Sequence, residues 1–339
     1  MGTPTSQFSY DLPVGAIAQQ PLERRDSSRL LQTDDLSDHT FSELPDLLSP
    51  GDIVVVNRSR VRAARLVGTK VGGGGRVEAL LLRPLAEEMW EAVVRPSRRV
   101  RPGTEIDFGA VRARIRSGPV DGVVEMSLEA QGPIEDAIAS AGTVPLPPYI
   151  RQPLADAERY QTMFARPVGS AAAPTAGLHF TPAVVAGLRA RSIEVVEIEL
   201  QVGLDTFRPI STGTIEEHRI HSESLAISEE AADAVNNRRG DIVAIGTTVV
   251  RALESKAVAD GRIEPGGTDT DLYITPGYRF RAVDQLVTNF HLPGTSLIVL
   301  VASFMGVRWR QAYEAALGRG YRFASFGDAM IARRTGVVS

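Results

Sequence analysis

From about Arg62 to Ala130 the chain breaks into short β-rich runs. "RVEALLLRPL", "MWEAVVRPS", "TEIDFGAVRARIRS" and "GVVEMSLEA" are cut apart by Gly and Pro. Spacing of that kind predicts a small all-β barrel or sandwich. The texture on either side is different. The apolar run "DIVVVN" (Asp52–Asn57) precedes the piece, and the stiff, Pro-rich "TVPLPPYI" leads out of it. Beyond that point strands and helices alternate, which is the pattern of an α/β sheet. The chain therefore reads as an α/β main domain formed from both flanks, residues 1–61 and 145–339, with an inserted β-barrel domain at residues 62–144.

The α/β reading rests on local signals. "DAERYQTMFA" (Asp156–Ala165) is expected to be a helix. Thr181-Pro182 supplies an N-cap and a first-turn Pro for a helix to about Arg191. "VVEIELQV" is a strand. Ser228 caps "EEAADAVNNRRG", with two Glu in the first turn and Gly240 as the stop. "DIVAIGTT" is a buried strand feeding the helix "TVVRALESKA". "DLYI" and "LVTNF" are expected strands. "SLIVLVASFMG" and "RWRQAYEAALGRG" are expected helices, the first nearly all apolar and so buried. "GGGG" (Gly72–Gly75) is a hairpin turn; no helix follows it, so it is not a dinucleotide fingerprint.

Composition narrows the function classes. The 339 residues contain no Cys. That excludes a disulfide framework, thiolate zinc sites, iron–sulfur clusters and a Cys nucleophile. The N-terminus is polar, and the longest apolar stretch, Ser296–Val307, falls short of the roughly 20 residues a membrane crossing needs. The expectation is a cytoplasmic protein with no membrane association. The net charge of −4 argues against a dedicated nucleic-acid binder. Locally the balance differs. Arg95, Arg98, Arg99, Arg101, Arg112, Arg114 and Arg116 stand with only Glu105 and Asp107 among them. Such a stripe fits either a phosphate backbone or a solvated strand face.

Four of the five histidines fall at element ends or in loops, where active sites are built. They are His179 in "GLHF", His218 and His221 in "EEHRIHSES", and His291 in "NFHLP". On a helix, His218 and His221 would face one way and suit a metal. In an extended loop they point apart and suit acid–base work, substrate contact or structural hydrogen bonding, with Glu223 near enough to set a tautomer. "AIGTTVVRALES" puts Thr247 and Thr248 at a strand-to-helix junction that favours an anion, and Arg251 and Glu254 follow on one face and suit pairing. "RRDSSRLL" and "NRSRV" combine Arg with hydroxyls, which suits carboxylate or phosphate. Small residues from Gly169 to Gly177 bury little and let backbone approach a ligand closely, with Thr175 and Gly177 in reach of it.

These motifs, taken in order, resemble those of the S-adenosylmethionine:tRNA ribosyltransferase-isomerase family of queuosine biosynthesis. The resemblance runs from "FSYDLPVGAIAQQPLERRDSSRLL" through "GDIVVVN", "PLPPYI", "ERYQTMFA", "AAPTAGLHFT", "TFRP", "HRIHSE", "GTTVVRALES", "PGYRF" and "TNFHLP" to "YRFASFGDAM". It implies an α/β body with a barrel insert. It also implies S-adenosylmethionine as co-substrate, with no metal or other cofactor. The ribosyl group passes to 7-aminomethyl-7-deazaguanine at a tRNA wobble position and is isomerised, giving epoxyqueuosine with release of adenine and methionine.

That chemistry needs a base, a proton donor for adenine, an anchor for the methionine carboxylate and donors for the deazaguanine edge. The resemblance assigns His179, His221 and Glu223 as acid–base candidates. Thr247, Thr248 and Arg251 are the anchor. Asn57, Arg60 and Arg29 read base or backbone. Thr175, Gly177, His218, Asn289 and His291 are further substrate contacts. The chain departs from the family pattern at Gln201 and Asp205 in "LQVGLDTF", at Arg58, and at Gly294. Those changes leave open a small-molecule acceptor in place of tRNA, or a non-catalytic RNA-binding role. A monomer is favoured.

Overall fold

The computed structural model describes residues 2–120, 122–203, 209–220 and 222–335. The chain forms two compact units: residues 2–60, 148–167 and 173–335 in one, and 61–147 with 168–172 in the other.

In chain order the first unit begins with β1 (Arg29–Gln32), β2 (Ser37–Thr40), α1 (Leu44–Leu47) and β3 (Ile53–Asn57), and the short β4 (Arg60–Val61) ends this stretch. The second unit supplies β5 (Arg65–Lys70), β6 (Arg76–Pro84), β7 (Met89–Arg95), β8 (Glu105–Asp107), β9 (Val111–Val120), β10 (Val123–Ala130), α2 (Ile134–Ala141), β11 (Gly142–Thr143) and β12 (Val168–Ser170). The chain then adds α3 (Pro182–Ala190), β13 (Glu194–Leu200), β14 (Glu223–Ile227), α4 (Glu229–Asn236), β15 (Ile242–Ile245), α5 (Thr247–Lys256) and β16 (Gly266–Thr270). It ends with β17 (Gln285–Asn289), α6 (Ser296–Met305), α7 (Arg308–Gly318) and β18 (Ala329–Arg333).

Nine strands of the first unit form one mixed sheet in the order β16-β14-β13-β3-β15-β17-β18-β1-β2. Its centre, β13-β3-β15-β17, is parallel. Every residue of β3, β15 and β17 is buried, as a parallel sheet covered on both faces requires. Val54, Val56, Val243, Ile245 and Val287 meet Phe41, Leu44, Phe164, Phe180, Val184 and Leu188 in one core. The helix α3 begins where its capping signal places it: the Thr181 hydroxyl accepts from the Val184 N–H.

The second unit is a closed antiparallel barrel, β5-β6-β7-β10-β9-β8, with β8 pairing back to β5. Alternation decides which side chains fill it: Val111, Ala113 and Ile115 of β9 point inward, while Arg112, Arg114 and Arg116 are exposed. Closure brings the two backbones so near that a Cβ on Gly68 would lie 2.1 Å from the Asp107 carbonyl oxygen. Leu66, Trp90, Ile106, Met126 and Ile138 fill the interior.

Three local expectations fail. Residues 156–165 form one 3-10 turn, Ala157–Tyr160, and not a helix. The Arg25 guanidinium takes the carbonyls of Gln161 (2.7 Å) and Glu158 (3.0 Å), acceptors an α-helix would have used for itself. "DLYI" is not a strand. Leu272 donates its N–H to Thr270 Oγ1 and gives its carbonyl to Arg251, and the neighbouring strand is instead Gly266–Thr270. The helix after Ser228 stops at Asn236 and not at Gly240. The Asn236 side chain is tied to both backbone groups of Ile263, and Arg238 caps the Val235 carbonyl.

Trp90 gives the barrel its own fluorophore, since the other Trp, Trp309, lies in the first unit. In a Trp309→Phe background, Leu66→Ala should lower barrel stability by about 2–5 kcal/mol, read from Trp90 fluorescence in urea. A cost below about 1 kcal/mol would show that Leu66 does not close this core.

Candidate active site

The parallel strands end on one edge of the sheet, and their carboxyl ends line a cleft. Ligand crevices of open α/β sheets form at this edge, where strand order runs both ways from a first strand, here β3. Val202 follows β13, Gly246–Thr248 follow β15, and Thr288, Asn289 and His291 end β17. Ala173, Pro174, Thr175 and Ala176 form the facing wall. The cleft holds about 580 Å³, part of it open to solvent.

Gly246 turns the chain from β15 into α5 with φ +93°, a backbone that side chains rarely adopt. Its Cα faces Ala176, whose methyl would lie 3.4 Å from any added Cβ. The small residues thus serve packing at one end of the loop and cleft wall at the other. Gly177 belongs to the packing end: a Cβ there would meet Thr162 at 3.1 Å, and Gly177 does not line the cleft. At the start of α5 the hydroxyl of Thr248 is buried with no hydrogen-bond partner among the described residues. The N-terminal end of the helix dipole adds a positive field at the same point.

His179 is buried behind this wall. Its Nδ1 lies 2.7 Å from Ser28 Oγ, and its Nε2 lies 3.0 Å from Asn289 Nδ2. Asn289 also accepts from the Thr175 hydroxyl at 2.8 Å. Burial, assisted by the nearby Arg322 charge, pushes the His179 pKa down to about 3. The ring is neutral at pH 7, so Nε2 accepts from Asn289 and Nδ1–H donates to Ser28. The ring also stacks on Phe41, centroids 4.9 Å apart. Direct acid–base work by His179 does not fit these surroundings, because both nitrogens are bonded within the protein. His291 does line the cleft, with Nε2 3.0 Å from Thr288 Oγ1, and burial pushes it down to about 3 as well.

A second cleft shares Leu297 with the first. It is lined by His218, Glu223, Arg251, Tyr273, Gly203 and Ile274 among others. Glu223 and Arg251 form a buried ion pair there. Gly203 N–H donates to Glu223 Oε1 at 2.7 Å, and Arg251 Nε donates to the Leu272 carbonyl at 3.1 Å. Arg251 Nη2 is buried without a partner among the described residues. This corrects the expected pairing of Arg251 with Glu254. The Glu254 carboxylate is already saturated by the backbone N–H groups of Arg281, Ala282 and Val283. Arg251 accordingly lines the second cleft, apart from Thr247 and Thr248 in the first. His218 is extended and packs edge-on to Tyr273, so a helical metal pair is not formed through it. His221 lies outside the described residues. Among the described residues no group of three His, Asp or Glu is placed to hold a metal ion.

Besides His179 and Gly177, three candidates line neither cleft. Asn57 is buried and clamps Leu200 and Ser59 through its amide. Arg60 pairs with Glu158. Arg29 lies over the Tyr321 ring and donates to the Arg319 carbonyl. The departures from the family pattern also lie elsewhere. Arg58 is neutralised by Glu199, Gln201 is exposed, and Gly294 has φ +67° with open space around it; Asp205 lies outside the described residues. Sequence reasoning missed Tyr149, Ala324 and Ser325, which line the first cleft. Tyr149 and Ser325 share a hydrogen bond of 2.7 Å, and Ala324 sits at φ +67°. "YRFASFGDAM" contains two of them, but nothing in an Ala-Ser pair signals a strained turn at a cleft.

The two buried rings impose a pH dependence. Their folded pKa values are near 3, below the unfolded 6.5, so the unfolded chain takes up protons first as pH falls. Stability should be full above pH 6.5 and should decline by about 1.4 kcal/mol per pH unit for each ring as pH drops towards 3. Urea unfolding between pH 6.5 and 5 measures the slope, and His179→Gln should remove one ring's share. An unchanged slope in that variant would place the ring in water.

The model of the queuosine biosynthesis protein family matches residues 5–332. The S-adenosylmethionine:tRNA ribosyltransferase-isomerase of Moorella thermoacetica is 48% identical over 337 residues, covering 96% of this chain and 98% of its own. The protein of the same name from Thermosynechococcus vestitus is 45% identical, covering 96% and 94%. Among solved structures, an S-adenosylmethionine tRNA ribosyltransferase from Thermotoga maritima matches with a TM-score of 0.53 and 33% identity, covering 96% of this chain and 99% of its own. With the matched residues spanning both the sheet and the barrel, this chain belongs to the queuosine biosynthesis protein family.

Proposed function

We propose that this chain is an S-adenosylmethionine:tRNA ribosyltransferase-isomerase. It transfers the ribosyl group of S-adenosylmethionine to the aminomethyl nitrogen of 7-aminomethyl-7-deazaguanine at a tRNA wobble position and isomerises it there. Adenine and methionine leave, and no methyl group is transferred. The near-full-length likeness to enzymes of that name supports the reading. The observation that carries it into the site is the buried, unpartnered Thr248 hydroxyl at the start of α5, opposite a wall of small residues. An anion donor beside a wall that admits close backbone approach suits a ligand with a carboxylate at one end and a nucleoside at the other.

In this reading Thr247 and Thr248 take the methionine carboxylate. Residues 173–176 run along the nucleoside, and Asn289 and His291 face it. His179 is a positioning residue: with Thr175 it fixes which way the Asn289 amide points. The second cleft takes the acceptor. Glu223, held by Arg251 and Gly203, presents a carboxylate oriented for the donors of a deazaguanine edge or for a proton on the attacking nitrogen. His218 stands beside it. Arg58, Gln201 and Gly294 line neither cleft, so nothing at those positions favours a small-molecule acceptor.

Incubation with S-adenosylmethionine and tRNA carrying the deazaguanine should yield epoxyqueuosine in the digested tRNA by mass spectrometry. Adenine release that needs a small amine and no tRNA would overturn the tRNA reading. Thr248→Val should raise the KM for S-adenosylmethionine about tenfold, equivalent to roughly 1.4 kcal/mol for a lost hydrogen bond to a charged group. His179→Gln should lower kcat while leaving the shape of the pH–rate profile unchanged. A profile that loses a titrating limb in His179→Gln would mark the ring as the acid or base.

A further inference from the structure

One rim of the barrel concentrates cationic side chains. Its strands are antiparallel, so the carboxyl ends of β5, β7 and β9 and the amino ends of β6, β8 and β10 share one rim. That rim carries Lys70, Arg76, Arg95, Arg98, Arg99 and Arg101. The Lys70 ammonium donates to the Arg99 carbonyl, which ties the β5–β6 turn to the arginine loop. Gly103 N–H donates to the Ile115 carbonyl at 2.8 Å and lays the same loop against β9. The opposite rim is mixed: Glu87, Glu88, Asp107 and Glu129 stand there with Arg83 and Arg112.

The rim arginines are exposed and unsatisfied. Elsewhere on the barrel Arg65, Arg83 and Arg114 are paired with Glu78, Glu91 and Glu105. Among the described residues, the side chains of Arg76, Arg95, Arg98, Arg99 and Arg101 have neither an ion pair nor a hydrogen bond. Glu78, opposite Arg95 in the β6–β7 ladder, is paired with Arg65, and Glu105 is paired with Arg114. Four guanidinium groups within seven residues thus repel one another with no acid of their own. Their planar forks match phosphate oxygens, and a polyanion relieves the repulsion. Val71 in the β5–β6 turn and Val120 at the end of β9, 50% and 71% exposed, lie on the same rim.

We propose that this rim of the barrel is a contact surface for the tRNA substrate, taking backbone phosphates with Arg95, Arg98, Arg99 and Arg101. The inference rests on the tRNA reading above and adds to it a surface distinct from both clefts. It also explains how a chain of net charge −4 holds a polyanion: the binding charge is local.

The test is binding of labelled tRNA carrying the deazaguanine to the full chain, followed by fluorescence anisotropy across a NaCl series. Removing three phosphate contacts in R98A/R99A/R101A should reduce the slope of log K against log salt by about 2–3. Affinity should fall about 10–100-fold, with S-adenosylmethionine binding by calorimetry and the circular-dichroism melting midpoint unchanged. The comparison variant R83A/R112A, at the other end of the barrel, should keep the wild-type slope. If R98A/R99A/R101A keeps the wild-type slope while the wild type still modifies tRNA, the rim inference fails and the functional reading stands. An equal loss of slope in R83A/R112A, or competition by polyglutamate as strong as by RNA of equal charge, also overturns it. If the wild type neither binds nor modifies this tRNA, both readings fall.

Discussion

The parallel pairing of β3 with β13 on one side and β15 on the other organises the first unit. Ile53 pairs with Glu194 in one neighbour and Ile242 in the other, so the three strands end nearly level. Parallel strands cannot be joined by tight hairpins, and long connections must return over the sheet faces. Those connections leave the carboxyl ends as the place where loops from distant parts of the chain meet. Val202, Gly246 and the neighbourhood of Asn289 come together for that reason.

Burial then decides what the polar residues at this edge are able to do. His179 is held neutral between Ser28 and Asn289, so its contribution is the orientation of an amide. Glu223 and Arg251 are nearly inaccessible and satisfy each other, with backbone donors and acceptors completing most of their needs. A buried pair of this kind adds little stability, since desolvation offsets the attraction, but losing one partner leaves an uncompensated charge. Such a pair acts as a rigid fixture, and among the described residues the Arg251 Nη2 is buried with no hydrogen-bond partner. The cleft beside it is therefore lined by a carboxylate of fixed orientation.

The barrel shows the reverse economy of charge. Its interior is apolar and closed, and its outer wall alternates with it strictly along β9. Arg65, Arg83 and Arg114, which lie on strands, find glutamates across the strands, as cross-strand neighbours on an exposed face do. Arginines in the loop after β7 have no strand opposite them, and among the described residues their side chains have no partner. The difference comes from topology and not from composition, because both sets are the same residue type within one short stretch.

Much of this was legible in the sequence. Period-two runs broken by Gly and Pro marked the barrel, and apolar runs alternating with capped helices marked the α/β sheet, because both patterns are local consequences of which side chains must be buried. The capped start at Thr181-Pro182 and the Gly-Thr-Thr junction after β15 were equally local. What escaped was whatever depended on partners distant in the chain. Arg25 dissolved an expected helix more than 130 positions away by taking its carbonyls. Arg251 turned to Glu223, 28 residues back, because Glu254 had met three backbone donors first. Asn57 and Arg60 went to structural bonds, and Ala324 and Ser325 came to the cleft unannounced. The sequence by itself determined the two architectures and the chemistry available to them, since periodicity and residue type are properties of short segments. Only the tertiary structure decided which polar groups were left unsatisfied at a cleft or a rim, because each hydrogen bond or ion pair goes to the partner that packing brings within reach.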